Sequence, residues 1–175
     1  MRPCMAWSPA ILRTTSCRWL VLFFAFAAFA AADANVVRWA PDFGWVKSGG
    51  NRASLKSLRG QPVVLVVAPS PRHGKFRKQA KELQKTYQLL GNDKAVMVAA
   101  FTQEPGVIRS NIPFVVAANP GAVAQSYGVA GDFAVFVIGR DGNLDEISDR
   151  VLAGQRVLDI INNSFVAQRD NRRAE

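Results

Sequence analysis

Cysteine is nearly absent from this chain, and its two copies both stand near the amino terminus. Among 175 residues, only Cys4 and Cys17 are cysteines, so positions 18–175 carry no thiol. Within that range the sequence excludes disulfide cross-links, thiolate zinc sites and nucleophilic catalysis by cysteine. If export removes the first residues, packing alone has to stabilise the remaining chain.

Histidine is equally scarce, because His73 is the only one. A zinc site built from several histidines and cysteines is excluded, and we expect no catalytic triad. Asp141, Asp145 and Glu146 lack the regular oxygen-ligand spacing of a calcium loop, and turn formation accounts for them. We therefore expect no catalytic residue, no metal site and no cofactor.

Residues 1–34 have the three-part layout of a secretory signal. Arg2, Arg13 and Arg18 precede an apolar run over residues 19–32, and small residues close it. As a helix this run spans roughly 21 Å, which is short of the ~30 Å hydrocarbon core of a bilayer. We expect cleavage and a periplasmic or secreted protein. An uncleaved anchor stays open as an alternative, and membrane contact is expected only in that case.

The rest of the chain is expected to form one domain over residues 35–166, followed by a basic, frayed tail at 167–175. The chain has 22 Lys+Arg and 13 Asp+Glu, a formal charge of +9, which the loss of three arginines and Asp33 reduces to +7. Such charge is typical of proteins that bind nucleic acid or anionic membranes. Here the cations are scattered among acids, so we predict solvated surface charge and no nucleic-acid partner.

Uncharged, β-branched runs alternate with helical patterns along this domain. Strands of one sheet are predicted at residues 63–67, 96–100 and 133–138. Between the first two, apolar residues recur every three or four positions, which predicts a helix over residues 76–90 with Gly91 as its stop. The order strand, helix, strand indicates a βαβ unit.

The flanking segments complete the prediction. Arg140-Asp141-Gly142-Asn143 predicts a hairpin turn into a further strand. A short helix is expected over residues 121–127 and a terminal helix from Val157 to Phe165, whereas residues 35–60 are expected to be mostly irregular. Trp39 and Trp45 could form an aromatic ligand shelf, but core or edge packing is the simpler interpretation.

Three motifs in order resemble the exported thioredoxin-like and peroxiredoxin-like (AhpC/TSA) proteins. They are Ala-Pro-Asp-Phe at 40–43, Leu-x-x-Leu-Arg-Gly-x-Pro at 55–62, and Tyr-Gly-Val at 127–129 before a strand, turn and strand. The resemblance implies a three-layer α/β fold with a central mixed sheet flanked by helices. In redox-active relatives, cysteines stand at the start of the helix after the first strand, and a proline faces them.

In this chain both features are replaced. Arg72-His73-Gly74-Lys75 stand where the resemblance places the thiols, and Phe133 stands at the position of the proline. We therefore expect a redox-inert member. Basic residues at the positive end of a helix dipole are unfavourable unless an anion lies between them, so Arg72, His73, Gly74, Lys75 and Phe133 form a candidate binding site. For His73 itself, the interpretation that we favour is a plain exposed loop residue.

Three functions follow as hypotheses. The first is a non-catalytic exported binding or scaffold domain whose partner is an unknown protein or anionic ligand. The second is a peroxiredoxin-like or thiol-disulfide oxidoreductase-related protein with an antioxidant role. The third is a basic protein that binds anionic lipid or polymer through Lys78, Lys81 and Lys85, although a solvated helix face also explains these lysines.

Overall fold

The structure, a computed structural model, describes residues 38–47 and 49–164. The expected signal with Cys4 and Cys17, Phe165 and the expected tail at 167–175 lie outside the described residues. Within the described residues, no helix is both long and apolar enough to span a bilayer.

The three uncharged runs form the centre of one five-stranded mixed sheet, as predicted. They are β3 (Val63–Ala68), β4 (Val96–Phe101) and β6 (Ala134–Ile138), and nearly every residue in them is buried. The strand order is β5-β4-β3-β6-β7, with a two-residue β5 (Val115–Val116) and β7 (Leu144–Ser148) at the two sides. β3 is parallel to β4 and antiparallel to β6, while β6 and β7 form the predicted hairpin.

The strand register brings three chain segments to one end of the sheet. Ala68 pairs with Phe101, and Val67 pairs with Ala134. The ends of β3 and β4 and the start of β6 therefore lie together, and this end is called the carboxyl edge below. Ligands of open α/β sheets bind outside the carboxyl ends of parallel strands.

Elements cover both faces of the sheet, which gives the predicted three-layer arrangement. On one face, α1 (Gly74–Lys85) and α4 (Gly154–Asn162) pack on strand residues such as Val64. On the other face lies α3 (Pro120–Ser126). Residues from before β3, including Phe43 and Trp45, complete the second layer of the core.

The predicted helix over residues 76–90 is wrong in its bounds. It is two helices, α1 and α2 (Tyr87–Asn92), which are separated by Thr86 at φ −112° and ψ 11°. Gly91 is not the stop either. Lys94 takes the left-handed conformation at φ 57°, and the Ala95 N–H donates to the Leu90 carbonyl at 2.9 Å to close the end of α2.

The segment before β3 is more regular than expected. β1 (Gly44–Val46) and β2 (Arg52–Ser54) pair as a small antiparallel sheet, followed by a 3-10 turn at Leu55–Leu58. Trp45 is 4% exposed and belongs to the core, which agrees with packing. Trp39 is 59% exposed and lies beneath the Arg59 guanidinium, 5.4 Å from the ring centroid.

Candidate functional site

The carboxyl edge carries the start of α1, which is the position predicted for binding. α1 begins at Gly74, two residues earlier than expected, so Arg72 and His73 precede the helix while Gly74 and Lys75 lie in its first turn. That turn contains no acidic residue, and the His73 side chain makes no capping hydrogen bond. The positive end of the helix dipole therefore faces basic residues of its own segment.

Asp132 supplies the negative charge that this arrangement needs. Its carboxylate lies 3.3 Å from Nε2 of His73 and 3.9 Å from Nζ of Lys75. Asp132 was not among the predicted site residues, because it lies far along the chain and only the antiparallel pairing of β3 with β6 brings it to α1. Its position directly before Phe133, together with charge complementarity, is the signal that could have identified it.

Phe133 fills the space beside these groups. Its side chain is 2% exposed, its ring centroid lies 6.2 Å from that of His73, and Nζ of Lys75 lies 5.7 Å from it. An ammonium at this distance from an aromatic ring is within the range of a cation–π attraction. Three predicted site residues, His73, Lys75 and Phe133, therefore meet at one place with Asp132.

The favoured interpretation of His73 as a plain exposed loop residue is wrong in its exposure, although His73 does lie in the loop directly before α1. Its side chain is only 23% exposed, and Nδ1 is buried with no hydrogen-bond partner among the described residues. Nε2 is the nitrogen that faces Asp132. When the imidazole is neutral, a proton on Nε2 can be donated to Asp132, and the buried Nδ1 then carries a lone pair and no unsatisfied proton.

Arg72 belongs to a different surface from the other predicted residues. It lines a groove of about 1050 Å³ with Arg77 and Lys81 of α1 and with Arg109 of the loop after β4. Gly74 faces open space, because nothing lies within 4 Å of the position that a Cβ would take. The structure thus divides the predicted cations between the Asp132 cluster (His73, Lys75, Asp132 and Phe133) and this basic groove.

The other acidic residues of the described chain do not form a metal centre. Within residues 38–47 and 49–164, no group of three or more His, Cys, Asp or Glu side chains lies close enough together to hold an ion. Asp141 binds its own turn, where its carboxylate accepts hydrogen bonds from the backbone and side-chain nitrogens of Asn143 at 3.1 and 2.6 Å. This is the turn role expected from the sequence.

Several solved structures of thiol-redox proteins have a fold similar to that of this chain, although their sequences are only distantly similar to it. A thiol:disulfide interchange protein from Bacteroides sp. matches with a TM-score of 0.59 and 16% identity, over 74% of this chain and 91% of that chain. Peroxidoxin BcpB from Mycobacterium tuberculosis matches with a TM-score of 0.54 and 16% identity, over 72% of this chain and 95% of that chain.

A third similar structure is the pneumococcal exposed lipoprotein thioredoxin Etrx1 from Streptococcus pneumoniae. Its TM-score is 0.56 at 15% identity, over 71% of this chain and 100% of that chain. At such identities these structures establish the thioredoxin-like fold alone. A comparison with curated protein sequences gives no match.

A family model describes the sequence more specifically than these structures do. The AhpC/TSA family model matches residues 36–147, which include β1 to β6, the Asp132 cluster and most of β7. Because the match covers more than half of the chain, and the three-layer fold with its central mixed sheet agrees with it, the chain belongs to the AhpC/TSA family.

Proposed function

We propose that this protein is a redox-inactive, exported binding domain that holds a partner at the carboxyl edge. One observation carries the proposal. At the start of α1, where the family resemblance places reactive thiols, the space is occupied by the Lys75–Asp132 ion pair and by the His73 imidazole, whose Nε2 also faces Asp132, beside the buried ring of Phe133.

None of these groups can replace a thiolate. Reduction of a disulfide or a peroxide by this family begins with nucleophilic attack by a sulfur anion. An ammonium is not a nucleophile while it is protonated, and an imidazole cannot form the mixed disulfide. The family match over residues 36–147 contains no cysteine.

The same groups are suited to binding. The Asp132 cluster offers a half-buried imidazole and an ammonium that is 50% exposed, next to an aromatic ring. These groups can hold a partner's carboxylate, phosphate or backbone carbonyl without any covalent step. The partner is an unknown protein or an anionic ligand.

Export is part of the proposal. The apolar run at residues 19–32 with arginines before it supports secretion. Etrx1, which has the same fold, is described as an exposed lipoprotein. Residues 18–175 lack cysteine, so lipid attachment after the apolar run is excluded for this chain.

Turnover assays test the redox-inactive part of the proposal. The native protein should neither reduce insulin disulfides nor consume hydrogen peroxide above the rate without protein. The variant Arg72→Cys/Lys75→Cys restores the two thiol positions and serves as the positive control, with two titratable thiols expected there. Peroxide consumption by the native protein that is lost in His73→Ala would contradict the proposal and favour the antioxidant alternative.

Cross-linking in the exporting cell tests the binding part. A partner captured by the native protein should be lost with Lys75→Glu, which places a second carboxylate beside Asp132 and removes the ammonium. Lys47→Glu is the matched control, because Lys47 is exposed and lies in the segment after β1. Equal capture by both variants would contradict the assignment of binding to the Asp132 cluster.

A further inference from the structure

The basic groove beside α1 has two walls that the fold holds in place. One wall is α1, and the other is the loop at residues 104–111. The loop is tied to the end of β3, since the backbone N–H groups of Gln103 and Glu104 both donate to the carbonyl of Pro69 at 3.0 Å. Farther on, the Phe114 ring packs 5.5 Å from that of Phe76 on α1. The groove is therefore largely formed before any partner arrives.

The groove has an excess of positive charge. Its four cations are exposed, and within residues 38–47 and 49–164 none forms an ion pair; they are Arg72, Arg77, Lys81 and Arg109. Glu104 is the single acidic residue among those that line it. By contrast, Lys75 and Lys85 on the same helix have acidic partners. Like charges in a concave site attract an anionic ligand, because the low-dielectric walls concentrate their field.

The groove also has apolar surface. Pro105 and Val107 of the loop line it and are exposed, whereas Phe76 and Ala80 of α1 also line it but are almost fully buried. Val107, at the tip of the loop, is 86% exposed, which makes it the most exposed large apolar residue of the described chain. A ligand that covers Val107 while pairing with the cations must carry apolar groups and negative charges close together.

From these observations we infer that the basic groove binds an extended acidic peptide segment of a partner protein, in which carboxylates alternate with apolar side chains. The inference rests on the proposed function, since it assigns a chemistry to the partner that the binding domain holds. A groove of about 1050 Å³ lies at or above the upper end of sites for small molecules, ~300–1,000 Å³, and an extended peptide fills an open groove of this size.

A peptide fits these features better than a membrane does. The cations line a concave surface, whereas a flat bilayer needs a basic patch that it can approach over a broad area. An extended segment can enter the groove, place carboxylates beside Arg77, Lys81 and Arg109, and set an apolar side chain on Val107.

Fluorescence anisotropy with the purified protein tests the inference. The probe is a labelled peptide of about ten residues in which aspartate and glutamate alternate with leucine and valine. Arg77→Gln/Lys81→Gln/Arg109→Gln should weaken binding about 10- to 100-fold, because each half-exposed charge pair contributes up to about 1 kcal/mol. Val107→Ser should also weaken binding, which a purely electrostatic ligand would not require.

The matched control removes the same charge elsewhere. Arg38→Gln/Lys47→Gln/Arg52→Gln lowers the net charge equally at exposed residues that do not line the groove. Affinity close to that of the native protein is expected. Equal weakening by the two triple variants would overturn the inference, since it would mean that total charge attracts the peptide. A lysine peptide with the same apolar residues should not bind.

Two further binding measurements distinguish an acidic peptide from a lipid ligand and from a small anion. Groove-dependent binding to phosphatidylglycerol vesicles, without binding to the acidic peptide, would overturn the inference in favour of a lipid ligand. Competition by inorganic phosphate alone at low concentration, with no effect of Val107→Ser, would overturn it in favour of a small anion. The turnover assays remain independent. If the protein shows no turnover and does not bind the peptide, only the groove inference is refuted. If it shows turnover and binds the peptide, only the proposed function is refuted.

Discussion

Gln79 is the polar side chain whose removal should affect this fold most. It lies on the buried side of α1 and is 0% exposed. Its amide forms two hydrogen bonds with one residue before α4, since Nε2 donates to the Leu152 carbonyl at 3.1 Å and Oε1 accepts from the Leu152 N–H at 2.8 Å. The amide therefore joins α1 to the segment that leads into α4.

Gln79→Leu keeps a side chain of similar size and removes both hydrogen bonds. The N–H and carbonyl of Leu152 then lose these partners beside the core. An unsatisfied buried group costs about 1–3 kcal/mol, so we expect a loss of about 2–4 kcal/mol in the free energy of unfolding. Against a typical total of ~5–15 kcal/mol, this change is large enough to measure reliably.

Gln84→Leu is the matched control, because it makes the same substitution at an exposed position of the same helix. It should change the free energy of unfolding by less than about 0.5 kcal/mol. Urea denaturation followed by the fluorescence of the buried Trp45 measures both variants. Hydrogen exchange at the Leu152 amide should become faster in Gln79→Leu alone.

Gln79→Glu adds a pH test. One carboxylate oxygen can still accept from the Leu152 N–H, but the other then faces the Leu152 carbonyl, and only a protonated carboxyl can donate to it. The folded state thus favours the protonated form, so stability relative to the native protein should fall as pH rises from about 4 to 8. Equal stability of Gln79→Leu and Gln84→Leu, with no pH dependence in Gln79→Glu, would refute the reasoning.

Three further predictions concern packing and charge. Leu83→Ala should cost about 2–5 kcal/mol in urea denaturation, because Leu83 is 0% exposed, whereas the exposed Lys81→Ala should cost under about 0.5 kcal/mol; equal costs would contradict the assigned face of α1. Gly154→Ala should lower stability by about 1–3 kcal/mol, since a Cβ there would meet the backbone of α1, and Gly121→Ala, where nothing lies within 4 Å, should not. Burial and then the charge of Asp141 raise the pKa of the Asp145 carboxyl from 3.8 to about 6. Between these values the folded state binds more protons than the unfolded state, so this carboxyl lowers stability as pH rises. Asp145→Asn should therefore raise the melting temperature at pH 8 and leave it unchanged near pH 3. The effect should be at most about 1 kcal/mol, because the carboxyl is only partly buried and solvent still reaches the residue; a shift of equal size at both pH values would contradict this cause.

The sequence predicted the elements whose residues interact mainly with their chain neighbours or are buried on all sides. β3, β4 and β6 were recognisable because uncharged β-branched runs suit strands that are covered on both faces. The spacing of Phe76, Ala80 and Leu83 indicated the buried side of α1, and all three are buried.

The break at Thr86 and the end of α2 were not predictable from that spacing. The apolar pattern continues through Tyr87 and Leu90, so a single helix was expected. In the structure, Thr86 leaves the helical conformation next to Gly154 at the start of α4. This neighbour of Thr86 comes from a distant segment of the chain, and periodicity along the chain carries no signal for such a contact.

The same distinction applies to the candidate site and to function. The sequence alone determined that residues 18–175 carry no thiol and that Arg72-His73-Gly74-Lys75 follow the first buried strand, because composition and order are properties of the chain itself. Only the tertiary structure decided that Asp132 pairs with His73 and Lys75, that Gln79 holds Leu152, and that Arg72 lines a separate groove. These contacts depend on the pairing of β3, β4 and β6, which brings distant residues to one edge of the sheet. They also depend on the face of α1 on which each side chain lies.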